Sequence, residues 1–275
     1  MTMPLRHIAL MTQWTAYDAQ AEHVALELAR RAKVPLSIVV PLFSNPELEV
    51  VAPALVADTE AATARSAANF DARVRAAGVT ATLRVRRGDE LWREVVDATR
   101  DAHADLVVTR RRGHKGFLGK LRIGEVVRAV AAHSPCPLLM VPRAAGLPVQ
   151  RALVALDSEA TVEAALRPAS TLAALLGLEL EVVAVSSAAP DAAARWLQRA
   201  QDVAESANLR VEGSLASGPL VDTVAARLAA RPVDLLVLGV EPGAARAGRL
   251  GPAVESIVGA APCATLLVRP QASLG

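Results

Sequence analysis

Ser134-Pro-Cys-Pro-Leu-Leu-Met-Val141 recurs later in the chain as Ala261-Pro-Cys-Ala-Thr-Leu-Leu-Val268. Two further stretches recur in the same order: Asp105-Leu-Val-Val-Thr109 as Asp234-Leu-Leu-Val-Leu238, and Arg6-His-Ile-Ala-Leu-Met11 as Arg151-Ala-Leu-Val-Ala-Leu156. Self-similar segments in a constant order indicate a structural unit that occurs twice. We therefore expect two α/β domains of one kind, residues 1–145 and 150–271, joined by a short connector that contains Gly and Pro.

Short apolar runs alternate with longer segments of helical periodicity in each half. The runs are Ile8–Met11, Leu36–Val40, Ala81–Val85, Leu106–Thr109 and Leu138–Val141, then Leu153–Leu156, Leu180–Val185, Arg210–Leu215, Leu235–Leu238 and Leu266–Val268. Runs that are apolar at consecutive positions predict strands covered on both faces. Their alternation with helices predicts a doubly wound, Rossmann-like parallel sheet of five strands in each half. Pro168, inside the first helix of the second half, predicts a kink there.

The fifth strand of each predicted sheet is an apolar edge. An exposed edge of this kind invites pairing with another strand, so we expect Leu138–Val141 to pair with Leu266–Val268 about an internal two-fold axis. Whether the whole chain also forms a homodimer is left open.

Composition excludes several classes of protein. The net charge is only +2, with 21% charged and 52% hydrophobic residues, which argues against a nucleic-acid-binding protein. The sequence contains no recognisable signal peptide and no run long enough to span a membrane, so a cytoplasmic protein is expected. The two cysteines, Cys136 and Cys263, are too few for a disulfide framework, and neither has a metal-ligand neighbour.

A Gly-rich loop follows the fourth strand in each half, at residues 110–125 and 239–252. Backbone amides in such a loop, together with the positive end of the next helix dipole, suit a phosphate group. Ligands of doubly wound sheets bind beyond the carboxyl ends of the strands, where the strand order reverses. The ends of the first and fourth strands are therefore the candidate ligand positions.

These features together resemble the universal stress protein family in its tandem form, over nearly the whole chain. The resemblance implies a non-enzymatic stress-response protein, with ATP as the candidate cofactor and an Asp at the end of the first strand. It also implies a loop with Gly, two residues, Gly, nine residues, and then Gly-Ser or Gly-Thr.

The first half departs from that pattern at both candidate positions. Gln13 stands where the Asp is expected, Arg110 replaces the first Gly, and Glu125 replaces the hydroxyl residue. Gly113 and Gly124 are retained, with one additional residue between them. A side chain at position 110 obstructs close approach of a phosphate, and the carboxylate at position 125 repels it.

The second half departs in the loop alone. Asp157 and Gly239 match the pattern, whereas Pro242 and Pro252 replace a Gly and the hydroxyl residue, and prolines lack an amide donor. The candidate nucleotide-binding residues are Asp157, Gly239, Gly243, Gly251, Gly113 and Gly124. Asp157 also suits a helix start, and such glycines also serve as simple turn formers.

A basic cluster in the first loop offers a second kind of site. Arg111, Arg112 and Lys115 are the candidate anion-binding residues, although a solvated basic face is the alternative. No pattern typical of a catalytic nucleophile or a metal site was found. Three hypotheses follow: a regulatory module with degenerate nucleotide loops, an ATP-binding and slowly hydrolysing stress protein, or a carrier of an apolar small molecule or lipid. Residual adenosine binding is expected in the second half.

Overall fold

The computed structural model describes residues 5–44, 46–111, 113–115, 121–186 and 190–270. The first half contains β1 (Ile8–Met11), α1 (Ala19–Ala32), β2 (Leu36–Phe43), α2 (Pro46–Val51), α3 (Pro53–Ala76), β3 (Ala81–Gly88), α4 (Leu91–Asp101), β4 (Leu106–Arg110), β5 (Gly113–Lys115), β6 (Leu121–Ile123), α5 (Glu125–His133) and β7 (Leu138–Val141). The second contains β8 (Arg151–Leu156), α6 (Glu159–Leu176), β9 (Glu179–Val185), α7 (Pro190–Ser206), β10 (Val211–Ala216), α8 (Leu220–Ala230), β11 (Leu235–Gly239), α9 (Pro242–Arg246), α10 (Pro252–Ala260) and β12 (Ala264–Val268).

Ten strands form one continuous sheet in the order β10-β9-β8-β11-β12-β7-β4-β1-β2-β3. Within each half, all strand pairs of this sheet are parallel, whereas β7 and β12 pair antiparallel at the centre. Leu139 pairs with Leu266, its equivalent in the repeat, with Leu138 opposite Leu267 on one side. This register is symmetric about the Leu139–Leu266 pair, so a local two-fold axis passes between them. The fifth strands therefore cover each other's edges, as expected from their apolar sequences.

The repeat in the first strand has to be shifted by one residue from the alignment proposed above. The Asp105 carboxylate accepts hydrogen bonds from the amides of Arg6 and His7, and the Asp234 carboxylate accepts them from Gln150 and Arg151. His7 is thus the structural counterpart of Arg151, and Gln13 that of Asp157. The sequence alignment of the first strands was off by one residue because runs of aliphatic residues match almost equally well in either register.

Both faces of the sheet are covered by helices, which explains the unbroken apolar runs. Leu10 and Met11 are neighbours in β1, yet they belong to core clusters on opposite sides of the sheet. Parallel strands covered in this way lose their polar alternation. The predicted fold class, α/β with doubly wound parallel sheets, is confirmed. None of the helices in the described parts of the chain combines the length and apolarity that a bilayer crossing requires.

Several elements differ from the sequence-based expectation. β2 extends to Phe43, and an additional short helix, α2, precedes α3. The loops after β4 and β11 also contain regular structure: β5 and β6 form an antiparallel hairpin, and α9 forms after β11. α6 continues through Pro168 as one helix from Glu159 to Leu176, and a kink at this proline stays a prediction.

Candidate functional site: two strand crevices

Each half has a crevice where its strand order reverses, between β1 and β4 in the first half and between β8 and β11 in the second. In doubly wound sheets this is the position where ligands bind, beyond the carboxyl ends of the strands. Because β7 and β12 are antiparallel, the two crevices open at opposite ends of the shared sheet.

Arg110, the last residue of β4, places its own side chain in the first-half crevice. Nη1 lies 3.0 Å from Oδ2 of Asp18, and Nη2 donates to the Gln13 amide oxygen at 2.9 Å. Nη1 also contacts the Thr15 hydroxyl. Only 10% of the Arg110 side chain and 2% of the Asp18 side chain are exposed. A paired guanidinium therefore occupies the position where the resemblance requires a bare glycine backbone.

The segment between β1 and α1 is shaped to hold this arginine. Asp18 directly precedes α1, and its Oδ2 also accepts hydrogen bonds from the amide and hydroxyl of Thr15, at 2.8 and 2.7 Å. Sequence reasoning missed both residues. The available signal was an Asp directly before a helical segment, together with an Arg at the end of an apolar strand.

Thr161 of α6 fills the corresponding space in the second half. A Cβ atom added to Gly239 would lie 2.3 Å from Cβ and 2.4 Å from Cγ2 of Thr161. Real carbon atoms do not approach this closely, so the glycine is required by the helix that packs on it. Gly239 is predicted above to bind a ligand, but close packing against Thr161 is by itself a sufficient reason for a glycine at this position.

Two acids lie at the mouth of the second crevice. Partial burial of the Asp157 carboxyl, and after it the nearby negative charge of Glu241, raise its pKa above the ordinary value. A pair of carboxylates repels a phosphate chain, but each can accept hydrogen bonds from hydroxyl groups.

The loops that follow β4 and β11 pack against the opposite half. β6 lies beside α10, and α9 lies beside α5. Gly243 falls within α9, and Gly251, with φ +84°, precedes α10 in a conformation that favours glycine. Gly113 lies in β5, and Gly124 has an ordinary φ of −62°. In the second half, part of this segment folds into α9 instead of an open loop. Nucleotide binding by Gly243 and Gly251 stays a prediction.

Arg111 bridges the two halves. Its Nη1 donates to the carbonyl oxygen of Val258 at 2.8 Å and also contacts that of Ala261, at the end of α10. Arg269 makes the reciprocal bond from the second half to the Ser134 carbonyl, which ends α5, at 3.2 Å. Cations at helix C-termini are stabilising. The predicted anion site at Arg111 would have to use its other N–H groups; Lys115 lies in β5, and Arg112 lies outside the described residues.

A cavity of about 480 Å³ adjoins the first crevice, bounded by the ends of β2 and β3 and by α3. Its walls are mainly apolar and include Trp14, Leu42, Phe43, Leu55 and Val56. Phe43 and Leu55 are more than half exposed at its mouth. Enclosures of this size and composition accommodate small organic molecules.

A doubly wound α/β unit repeated in tandem, with a crevice at each reversal of strand order, defines the class of this protein. Residues 6–142 match the model of the universal stress protein family. The chain belongs to the universal stress protein family, in its tandem form.

Solved structures with this fold include a universal stress protein from Archaeoglobus fulgidus DSM 4304. It is 18% identical, with a TM-score of 0.75 and 96% of either chain covered. A protein of unknown function from Pseudomonas aeruginosa PAO1 is 16% identical, with a TM-score of 0.66, 97% of this chain and 93% of its own covered. A universal stress protein in complex with cAMP is 21% identical over 50% of this chain and 98% of its own, with a TM-score of 0.40. Among curated proteins, none matches the chain.

Proposed function

We propose that this protein is a non-enzymatic regulatory module of the universal stress type whose nucleotide crevices are closed by its own side chains. The observation that carries the proposal is the Arg110 guanidinium, held in the first-half crevice by Asp18 and Gln13. A nucleotide would have to expel a buried ion pair, and separating one partner from such a pair costs about 3–5 kcal/mol.

The second half supports the same proposal. Thr161 occupies the space beside Gly239, and the acidic pair of Asp157 and Glu241 opposes a phosphate chain. Burial raises the pKa of Cys136 to about 12 and that of Cys263 to about 11, so neither thiol is a ready nucleophile at neutral pH. A role without turnover, in the cytoplasm, is consistent with these features.

Isothermal titration of the full chain with ATP and with adenosine tests the proposal. We expect no saturable heat at ATP concentrations up to about 1 mM. This result would mean a binding free energy weaker than about −4 kcal/mol. ATP binding at about 10 µM or tighter would contradict it, as would steady ATP hydrolysis near the ordinary range of about 1 s⁻¹ or faster. Weak adenosine binding that Asp157→Ala abolishes would assign the residual affinity to the second half.

A second candidate function is carriage of an apolar small molecule. The cavity of about 480 Å³ beside α3 favours it, because apolar walls and an exposed apolar mouth are typical of such sites. The bound molecule would contact Trp14 and Leu42, next to the first-half crevice that holds Arg110 and outside it.

Native mass spectrometry of the purified chain tests this second function. A carrier is expected to retain an additional mass of a few hundred daltons, and Leu55→Arg, which places a charge at the mouth, is expected to lose it. Leu83→Arg, at an exposed apolar position on the edge strand β3, is the matched control. Equal retention by both variants would contradict carriage in this cavity.

A further inference from the structure

A second cavity, of about 510 Å³, lies between the two halves. It is located at the amino ends of β4 and β7. The first-half crevice that holds Arg110 lies at the opposite edge of the same sheet, at the carboxyl ends of the strands. α6 forms one wall, and the segment that follows β12 forms another. Because both halves contribute, the cavity exists only in the paired arrangement.

Arg269 is the notable polar group of this cavity. Nη1 donates to the Ser134 carbonyl at 3.2 Å, whereas Nε is buried without a hydrogen-bond partner. Among the described residues, no carboxylate lies within ion-pair distance of Arg269. Burial, and after it the charge of Arg100, lower the pKa of Arg269, which marks a guanidinium that lacks a counter-charge. A buried donor without a partner destabilises the folded state.

The free edge of Arg269 suits a carboxylate. With Nη1 engaged, Nε and Nη2 remain, and this pair of donors binds two oxygens in a parallel, bidentate arrangement. Asp105 also lines the cavity, but its Oδ2 accepts hydrogen bonds from two backbone amides, which partly offset its charge. Arg167 and Glu163 form a 3.1 Å ion pair on the α6 side.

The rest of the lining is mostly apolar. It includes Leu5, Leu106, Leu172 and a group of prolines: Pro135, Pro137, Pro168 and Pro270. Pro168 has no amide hydrogen, so the Ala164 carbonyl, one turn earlier, lacks its usual helical donor. The cavity therefore combines apolar walls with a cationic side chain whose Nε has no hydrogen-bond partner.

We propose that the cavity binds an amphipathic organic anion, whose carboxylate pairs with Arg269 and whose apolar body packs against the leucines and prolines. The volume lies within the range of about 300–1,000 Å³ that is usual for small-molecule sites. Because Nε is shielded, the Arg269 side chain turns toward the cavity when the ligand binds. The site is independent of the strand crevices, so it stands whether or not they bind nucleotide. Since both halves line it, an occupant would stabilise their pairing.

Titration calorimetry with decanoate, a medium-chain carboxylate, tests the proposal on the full chain. We expect saturable binding by the wild type, and at least about tenfold weaker binding by Arg269→Met, which keeps an unbranched apolar stem and removes the guanidinium. Decanol, which lacks the charge, is expected to lose affinity by a similar factor. Leu83→Arg, at an exposed apolar position of β3 that lines neither cavity, is expected to leave decanoate binding unchanged.

A second variant covers the case in which Arg269→Met does not fold. Ala164→Phe, on the partly exposed cavity face of α6, fills the space while keeping Arg269 and is expected to abolish binding. Absence of decanoate binding by the wild type at about 1 mM would overturn the proposal. So would equal affinities of the wild type, Arg269→Met and Ala164→Phe, or loss of binding in Leu83→Arg.

Discussion

The guanidinium of Arg110 and the carboxylate of Asp18 form a buried ion pair, with Nη1 and Oδ2 3.0 Å apart, at the switch point of the first half. In the second half the equivalent strand ends in Gly239, against which Thr161 packs. Two different side chains thus lie at two equivalent positions, although the two sequences share little there.

Removing Asp18 should destabilise the fold strongly. Asp18→Ala leaves Arg110 charged and buried without its partner, so we expect a loss of about 3–5 kcal/mol in the free energy of unfolding, measured by urea denaturation. Arg75→Ala, which breaks the exposed pair with Asp71, is the control and should cost less than about 1 kcal/mol. Similar losses in the two variants would show that the crevice pair is not tightly held.

A methyl group at Gly239 should be poorly tolerated. Gly239→Ala forces α6 away from β11, because the new Cβ would overlap Thr161, and we expect a loss of about 1–3 kcal/mol. Gly243 has no atom within 4 Å of an added Cβ and lies within α9, so Gly243→Ala should change stability by less than about 1 kcal/mol. Chemical denaturation of both variants distinguishes the packing role from a simple turn role.

Asp157 should make stability depend on pH. Its pKa is raised above 3.8 in the folded state, by partial burial and then by Glu241, so the folded protein holds this proton more tightly than the unfolded chain. Ionisation of Asp157 therefore lowers the free energy of unfolding. The full loss applies at pH values above the raised pKa, and there is no loss at pH values well below 3.8.

Asp157→Asn is expected to raise the urea midpoint at neutral pH, with the gain disappearing at strongly acidic pH. Asp89→Asn, at an exposed carboxyl in the first half, provides the comparison. A gain that is the same at both pH values would rule out this electrostatic cause.

Both thiols should be unreactive in the folded protein. With pKa values of about 12 for Cys136 and about 11 for Cys263, the reactive thiolate is scarce at pH 8. We expect an aromatic disulfide reagent to modify neither cysteine in the native state and both in guanidinium chloride. Rapid modification of Cys136 in native protein would mean that the cavity between the halves opens more widely than the structure shows.

The strand pattern was the part of the fold most readily predicted. Leu106–Thr109 and Leu235–Leu238 are unbroken apolar runs, which burial on both faces of a parallel sheet requires, and both lie within observed strands. The first-strand repeat was misaligned by one residue, since aliphatic residues at successive positions carry little information about register.

Sequence by itself determined the duplication, the α/β class and the loss of the family's loop pattern at Gln13 and Arg110. Those properties follow from local periodicity and from the identity of single residues. Only the tertiary structure decided what replaced that pattern. Asp18 meets Arg110, and Arg269 meets Ser134, because the sheet brings together residues that lie far apart in the chain. Such contacts leave no local pattern in the sequence, since each partner is chosen by the geometry of the folded sheet.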